Sequence, residues 1–129
     1  MVDPISDMLI RLKNVAMARK PLALVPFSQL KLGIAEVLKT AGYLKSVTKK
    51  GKKIKKYLEL ELSYADNCPK LTDVKRVSKP SRRIYEPAKQ IRSVRHGYGL
   101  ALYSTSRGLL TDKAAREQKV GGELLFKIW

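Results

Sequence analysis

Three consecutive hydroxyls, Ser104-Thr105-Ser106, run directly into Arg107 and Gly108, and further on the chain reads Val120-Gly121-Gly122-Glu123. Hydroxyls donate and accept hydrogen bonds without charge, so they suit base edges and ribose 2′-OH groups. Arg107 and the nearby Lys113 are suited to phosphates, and glycine lets a backbone come close to a ligand. A purely structural reading stands beside this one. Hydroxyl-rich turns can satisfy their own backbone groups, and Gly-Gly can simply end a helix. The hydroxyl run follows an apolar strand pattern and precedes a capped basic helix, and that combination favours an RNA-binding loop. Glu123 is an acid in a cationic neighbourhood, open either to a structural ion pair or to base amino groups.

Two further sets could touch a polyanion. Lys45, Lys49, Lys50, Lys52, Lys53, Lys55 and Lys56 place seven like charges within twelve residues. Without a counter-anion they repel one another, so a phosphate contact surface is favoured over a merely solvated tip. Lys31 is counted with Lys49, Lys50, Lys52, Lys53 and Lys55 as a secondary phosphate contact. In Arg82-Arg83-Ile84-Tyr85, alternation puts Arg83 and Tyr85 on one face. Tyr85 could stack on an unpaired base beside an arginine on a phosphate, or be a core aromatic with its hydroxyl at the surface. The sequence does not decide between them.

Other chemistries are poorly supported. His96 is the single histidine and sits in a glycine-rich turn, while no phosphate-cradling Gly-Lys-Ser/Thr loop occurs. Gly97-Tyr98-Gly99 is too short for a dinucleotide fingerprint. Cys68 is alone, which excludes an internal disulfide and a cysteine metal cluster. No cofactor, metal or small-molecule substrate is expected, and an RNA-cleaving enzyme would have to rely on His96 or Glu123. Neither a leader pattern nor a membrane-length apolar run is present, so the chain reads as cytosolic. An anionic-membrane binder would need a strongly basic amphipathic helix, which is missing.

Composition agrees with a polyanionic partner. The 129 residues carry 27 Lys and Arg against 11 acids, a formal net charge of +16. Such an excess is a statement about partners rather than fold. It is spread along the chain: residues 1–66 hold 13 basic and 6 acidic side chains, and 67–129 hold 14 and 5. Neither half is a detachable basic tail.

The elements that must position these residues are legible in outline. Asp3 and Pro4 open a helix whose Ile5, Met8, Leu9, Leu12, Val15 and Ala16 share a face, and Pro21 stops it. Leu22–Val25 reads as an edge strand. Ser28 caps a second helix with Leu30, Ile34, Val37, Leu38 and Ala41 inward, ended by Gly42. A hairpin follows, 43–49 and 54–62, turning near Gly51, with Leu58, Leu60 and Leu62 in period two. Residues 63–70 read as a turn-rich linker. The second half predicts short strands at 74–77 and 82–85, a turn at 78–81 and a helical turn within 87–95. A strand at 100–103 then delivers the hydroxyl loop, a Thr111-capped helix runs to about 119, and a strand closes the chain at 123–129. The expected fold class is α+β, with two small α/β domains: residues 1–66 as an α-β-α-β-β unit packed on a strand-rich 67–129 with one short helix.

These residues resemble a known family. Asp3-Pro4-Ile5-Ser6-Asp7-Met8-Leu9 with Arg11, Val77-Ser78-Lys79-Pro80 through Arg83-Ile84-Tyr85, and Ser104-Thr105-Ser106-Arg107-Gly108 with Thr111-Asp112 are similar to bacterial small-subunit ribosomal protein eight. Ala114-Ala115-Arg116 and Val120-Gly121-Gly122-Glu123 extend the match over nearly the whole chain. The resemblance implies a structural component of the small ribosomal subunit. It would bind an irregular helix in the central domain of the small-subunit (16S) rRNA and help assemble the platform beside neighbouring ribosomal proteins. It also implies that some members repress translation of an operon mRNA. Carried over, Ser104, Thr105 and Ser106 would contact the irregular core, with Gly121, Gly122, Glu123 and Tyr85 nearby, and the amino-terminal domain would touch a second site. Bacterial and organellar members would look alike at this level. Ser81 stands where the family usually has Gly, Phe126 where Cys is frequent, and the hairpin is unusually basic.

Overall fold

The computed structural model describes residues 4–79, 81–94 and 97–129. The expected Asp3 cap, Pro80 of the 78–81 turn, Arg95 at the end of the 87–95 turn and His96 lie outside the described residues. The fold is α+β, and the chain forms two compact units, Pro4–Thr72 and Asp73–Trp129.

The first unit runs α1 (Pro4–Met17), β1 (Leu22–Pro26), α2 (Gln29–Thr40), β2 (Leu44–Lys52), β3 (Lys55–Leu62), β4 (Tyr64–Ala65) and β5 (Cys68–Pro69). Helix α1 buries Ile5, Met8, Leu9, Leu12 and Ala16, the three- and four-residue spacing of one apolar face. It ends before Pro21 acts: Arg19 turns left-handed at φ 54, with its N–H on the Ala16 carbonyl. The Ser28 hydroxyl caps α2 by accepting from the Lys31 N–H at 3.1 Å. Helix α2 buries Ile34, Ala35 and Leu38, whereas Leu30 and Ala41, expected inward, are exposed. Gly42 at φ 94 breaks the helix, and the Tyr43 N–H closes back on the Leu38 carbonyl.

The sheet order is β1-β3-β2, antiparallel throughout, so β1 is an edge strand. Leu58, Leu60 and Leu62 are buried on one face, each such side chain contributing about 1.5–3 kcal/mol when fully buried. The hairpin does not turn at Gly51. That residue is inside β2 opposite Lys56, and the turn is Lys53-Ile54. The expected linker is instead a small ribbon, β4 against β5, turned by Asp66 and Asn67 at φ 52 and 63. Asp and Asn tolerate that left-handed geometry best among non-glycine residues.

The second unit comprises β6 (Val74–Arg76), β7 (Tyr85–Glu86), a 3₁₀ turn (Ala88–Gln90), β8 (Leu100–Thr105), β9 (Gly108–Thr111), α3 (Asp112–Gln118) and β10 (Gly122–Ile128). The sheet order is β6-β10-β8-β9, with β7 also paired to β10. Ile91, Val94, Ala101, Tyr103, Ala115 and Leu124 form a core, so α3 packs on this face through Ala115. Phe126 is wholly buried. Three expectations shift here, the first being the strand expected at 82–85, which is Tyr85–Glu86. Strand β8 extends through Thr105 rather than ending at Tyr103, and Gly108–Thr111 is a strand the sequence pattern did not reveal.

Candidate nucleic-acid interface

Strand β10 begins between two partners. Glu123 lies opposite Tyr85 of β7 on one side and Ser104 of β8 on the other, and Ser104 lies opposite Leu109 of β9. Directly opposed residues of antiparallel strands share a face, so Tyr85, Glu123, Ser104 and Leu109 form one row. Tyr85 and Ser104 are then two strand spacings apart, about 10 Å. Tyr85 is 67% exposed, which removes the core-aromatic alternative and leaves its ring face open.

Glu123 is nearly buried and ion-paired: Arg83 Nη1 donates to both of its carboxylate oxygens, at 3.3 and 3.2 Å. The guanidinium side chain itself is 58% exposed. It can hold Glu123 and still offer its remaining N–H donors to a phosphate.

The hydroxyl run divides into two roles. The Thr105 hydroxyl donates to the Gly108 carbonyl at 2.9 Å and accepts from the Arg107 N–H at 3.0 Å. It braces the Ser106-Arg107 turn between β8 and β9, as the structural reading of such turns anticipates. Ser104 and Ser106 are exposed, and their hydroxyls bond no other described residue. Gly108 takes φ 97, which glycine adopts without strain. Arg107 reaches the Gln118 side chain at 3.5 Å and is otherwise exposed, as is Lys113 on the first turn of α3.

Gly121 and Gly122 are not helix terminators. Lys119, left-handed at φ 57, already ends α3. A methyl group at Gly121 would stand 2.5 Å from the Glu86 carbonyl oxygen. One at Gly122 would collide with the Ser104 carbonyl oxygen and lie 2.8 Å from Thr105 Cγ2. The pair is glycine because β7 and β8 converge on β10 there, beside the free hydroxyls.

The hairpin lysines are partly neutralised by acids of the adjoining strand. Lys50 meets Glu59 at 3.0 Å and Lys45 meets Glu61 at 3.7 Å. The hydrogen bond to Glu59 and its charge raise the Lys50 pKa. Lys49 lies 4.2 Å over the Phe27 ring. Lys52, Lys53, Lys55 and Lys56 are exposed, with no carboxylate partner among the described residues. Lys31 departs from the expectation of a phosphate contact: it is buried, and its ammonium donates to the Pro26 carbonyl at 3.4 Å. Its position on the inner face of α2 turns it away from solvent.

A family model described as ribosomal protein S8 matches residues 3–129. The chain belongs to the ribosomal protein S8 family. It is 43% identical over 127 residues to the small ribosomal subunit protein uS8 of Mycoplasma mobile, covering 98% of this chain and 96% of that one. The Dictyoglomus thermophilum uS8 is 46% identical over 127 residues, covering 98% and 97%, and the Geobacter sulfurreducens uS8 is 45% identical over 130 residues, covering 100% and 98%. Members of this family are ribosomal proteins rather than enzymes, which settles the question of catalysis. Among the described residues no cluster of His, Cys, Asp and Glu could hold a metal ion, and no helix is long and apolar enough to cross a membrane.

In this S8-family chain two residues that the sequence shows only as part of the family resemblance prove to support the site. The fully buried Ser78 accepts from the Ile84 N–H at 2.8 Å and donates to the Ile84 carbonyl at 3.2 Å, closing the loop that carries Arg83 and Tyr85. Asp112 is buried and accepts from the Ala101 N–H and from Arg116, both at 3.2 Å, fixing α3 on β8. Serine in a Val-Ser-Lys stretch signals only a turn. Asp112 signals only a favourable first-turn acid. Neither pattern encodes the partner reached by folding.

Proposed function

We propose that this protein, a constituent of the small ribosomal subunit, binds small-subunit rRNA directly at an irregular helix of the central domain. The observation that carries this reading is the row Tyr85-Glu123-Ser104 with the Ser106 turn at its end. An open aromatic face and two unengaged hydroxyls lie together with Arg83, which pairs with Glu123, while Arg107 is exposed in the adjoining turn and Lys113 is exposed on α3. An irregular helix offers unpaired bases to stack and hydrogen-bond, which a regular duplex does not. Tyr85 stacks on such a base, Ser104 and Ser106 bond base edges or 2′-OH groups, and the cations hold the backbone. The Gly121-Gly122 segment supports this surface indirectly, by letting β7 and β8 close on β10 and so bringing Tyr85, Glu123 and Ser104 into one row. An operon mRNA folded into a similar irregular helix would occupy the same surface, and neighbouring small-subunit proteins would meet other faces.

The test is a salt titration of binding to a central-domain rRNA fragment, with an unrelated hairpin of equal length as competitor. Neutralising about five to eight phosphates gives a slope of log affinity on log salt near −4 to −7. The fragment should win the competition, and the Ser104→Ala/Ser106→Ala variant should lose that preference. Equal binding to both RNAs would replace this reading with a charge-driven RNA chaperone.

A further inference from the structure

Ile54 is 94% exposed at the tip of the β2–β3 hairpin, the most exposed large apolar side chain among the described residues. Residues 48–56 are exposed on both faces of the ribbon. From the buried Leu58 to Ile54 the chain extends about 13 Å, at about 3.3 Å per residue. Alternation puts Lys50, Lys52 and Lys55 on one face and Lys49 and Lys56 on the other, with Lys52 directly opposite Lys55. Like charges directly opposed destabilise a sheet, and no carboxylate among the described residues relieves Lys52, Lys53, Lys55 or Lys56. The tip is nonetheless sterically defined. Gly51 has φ 105, and a methyl group there would collide with the Lys55 carbonyl oxygen and stand 3.1 Å from Lys56 Cα. A tip serving only solubility has no use for isoleucine at its apex.

We propose that this hairpin is a finger that seats in the minor groove of a regular A-form RNA helix. Ile54 packs against ribose surface, and Lys52, Lys53 and Lys55 take phosphates of the flanking strands. The proposal rests on the RNA reading above and extends it to a second, regular RNA element contacted by the Pro4–Thr72 unit. The A-form minor groove is wide and shallow, whereas its major groove is too deep and narrow for side chains to read. A two-stranded ribbon with strands about 4.8 Å apart and an apolar apex suits the shallow groove. Charge complementarity selects a polyanion, and the apolar apex selects one with exposed sugar faces. This contact needs no unpaired base, unlike the row at Tyr85 and Ser104.

The experiment uses the full-length protein with four probes: a fully paired RNA duplex of about 16 base pairs, the same sequence as a DNA duplex, the irregular rRNA fragment, and polyglutamate. Ile54→Ser should weaken RNA-duplex binding roughly fivefold, the effect of a partly buried aliphatic side chain, with the salt slope unchanged because an apolar contact releases no counterions. The Lys52→Ala/Lys53→Ala/Lys55→Ala variant should flatten that slope by about 2–3. The Ser104→Ala/Ser106→Ala variant should keep its duplex affinity while losing preference for the irregular fragment. Ile54→Ser binding like the parent, equal affinity for the DNA duplex, or equal competition by polyglutamate would each overturn the finger. Those outcomes, with fragment preference intact, would leave the irregular-helix reading standing.

Discussion

Gly122 passes so close to Ser104 that the Ser104 carbonyl oxygen occupies the place a Gly122 side chain would need. This close approach sets the spacing of β8 and β10 where Ser104 and Glu123 share a row. Gly122→Ala should therefore cost about 1–3 kcal/mol, the usual range for overpacking a well-fitted site. It should also weaken binding to the rRNA fragment by more than that destabilisation explains at temperatures where the variant stays folded. Thermal unfolding and fragment binding measured on the same preparation test this. Parent-like values in both would mean the strands part without consequence.

The three hydroxyls should separate by assay. Thr105→Ala removes both bonds of the Ser106-Arg107 turn and should cost about 0.5–1.5 kcal/mol of stability. Ser106→Ala removes no intramolecular bond and should leave the melting temperature unchanged, while reducing affinity for the irregular fragment. The reverse pattern, a stability loss at Ser106 and none at Thr105, would contradict the assignment of roles.

Local signals explain what was legible in the sequence. Ser28, Thr111 and Gly42 act on neighbours within a few residues, and Leu58, Leu60 and Leu62 announce their strand through a period that needs no partner. Non-local pairing explains what was not. Gly108–Thr111 is a strand because β8 pairs with it, and Gly-Leu-Leu-Thr shows no alternation of its own. The hairpin turns at Lys53-Ile54 because the register of β2 on β3 places it there, leaving Gly51 to a close contact rather than to the turn. Ser104, Glu123 and Tyr85 are recognisable singly as candidates, but only β10 pairing on both sides puts them in one row.

Ser78 supports that row from behind. Its hydroxyl satisfies both backbone groups of Ile84 in a fully buried position. Ser78→Ala leaves the Ile84 N–H without that acceptor and should cost about 1–3 kcal/mol. Amide hydrogen exchange should show faster exchange at Ile84 and Tyr85 before global unfolding. Unchanged protection at Ile84 would show that the loop is held by other means.

Tyr103 predicts an alkaline signature. Burial, and then the neighbouring Glu86 carboxylate that accepts its hydroxyl at 3.2 Å, push its pKa well above the usual tyrosine value. A group that binds its proton more tightly when folded contributes stability that is complete below the unfolded pKa, about 10, and is lost as pH rises beyond it. Chemical unfolding of the parent should therefore lose stability above about pH 10 more steeply than Tyr103→Phe, since lysine titration is common to both. At neutral pH Tyr103→Phe should cost about 0.5–1.5 kcal/mol for the lost hydrogen bond. Parallel stability curves above pH 10 would rule this out.

The open edge of β1 accounts for Lys31. Pro21 and Phe27 bond inward to β3, so alternation turns the carbonyls of Leu22, Leu24 and Pro26 to the free edge. Two of these three are occupied by side chains, Arg11 donating to Leu24 at 3.1 Å and Lys31 to Pro26 at 3.4 Å, and Tyr64 donates to the Lys20 carbonyl just before the strand. An uncovered edge strand is a template for pairing with another chain, and Leu22 and Leu24 project from this one, exposed. The Arg11→Ala/Tyr64→Phe variant should self-associate more strongly than the parent by sedimentation velocity, with a matching loss of monomer on dilution series. Lys31→Met, which keeps the buried stem, should leave the salt slope of RNA binding unchanged, whereas a lysine on a phosphate would shift it by about 0.9. A flattened slope in Lys31→Met would return Lys31 to the RNA surface, and a monomeric double variant would mean the edge is protected without these caps.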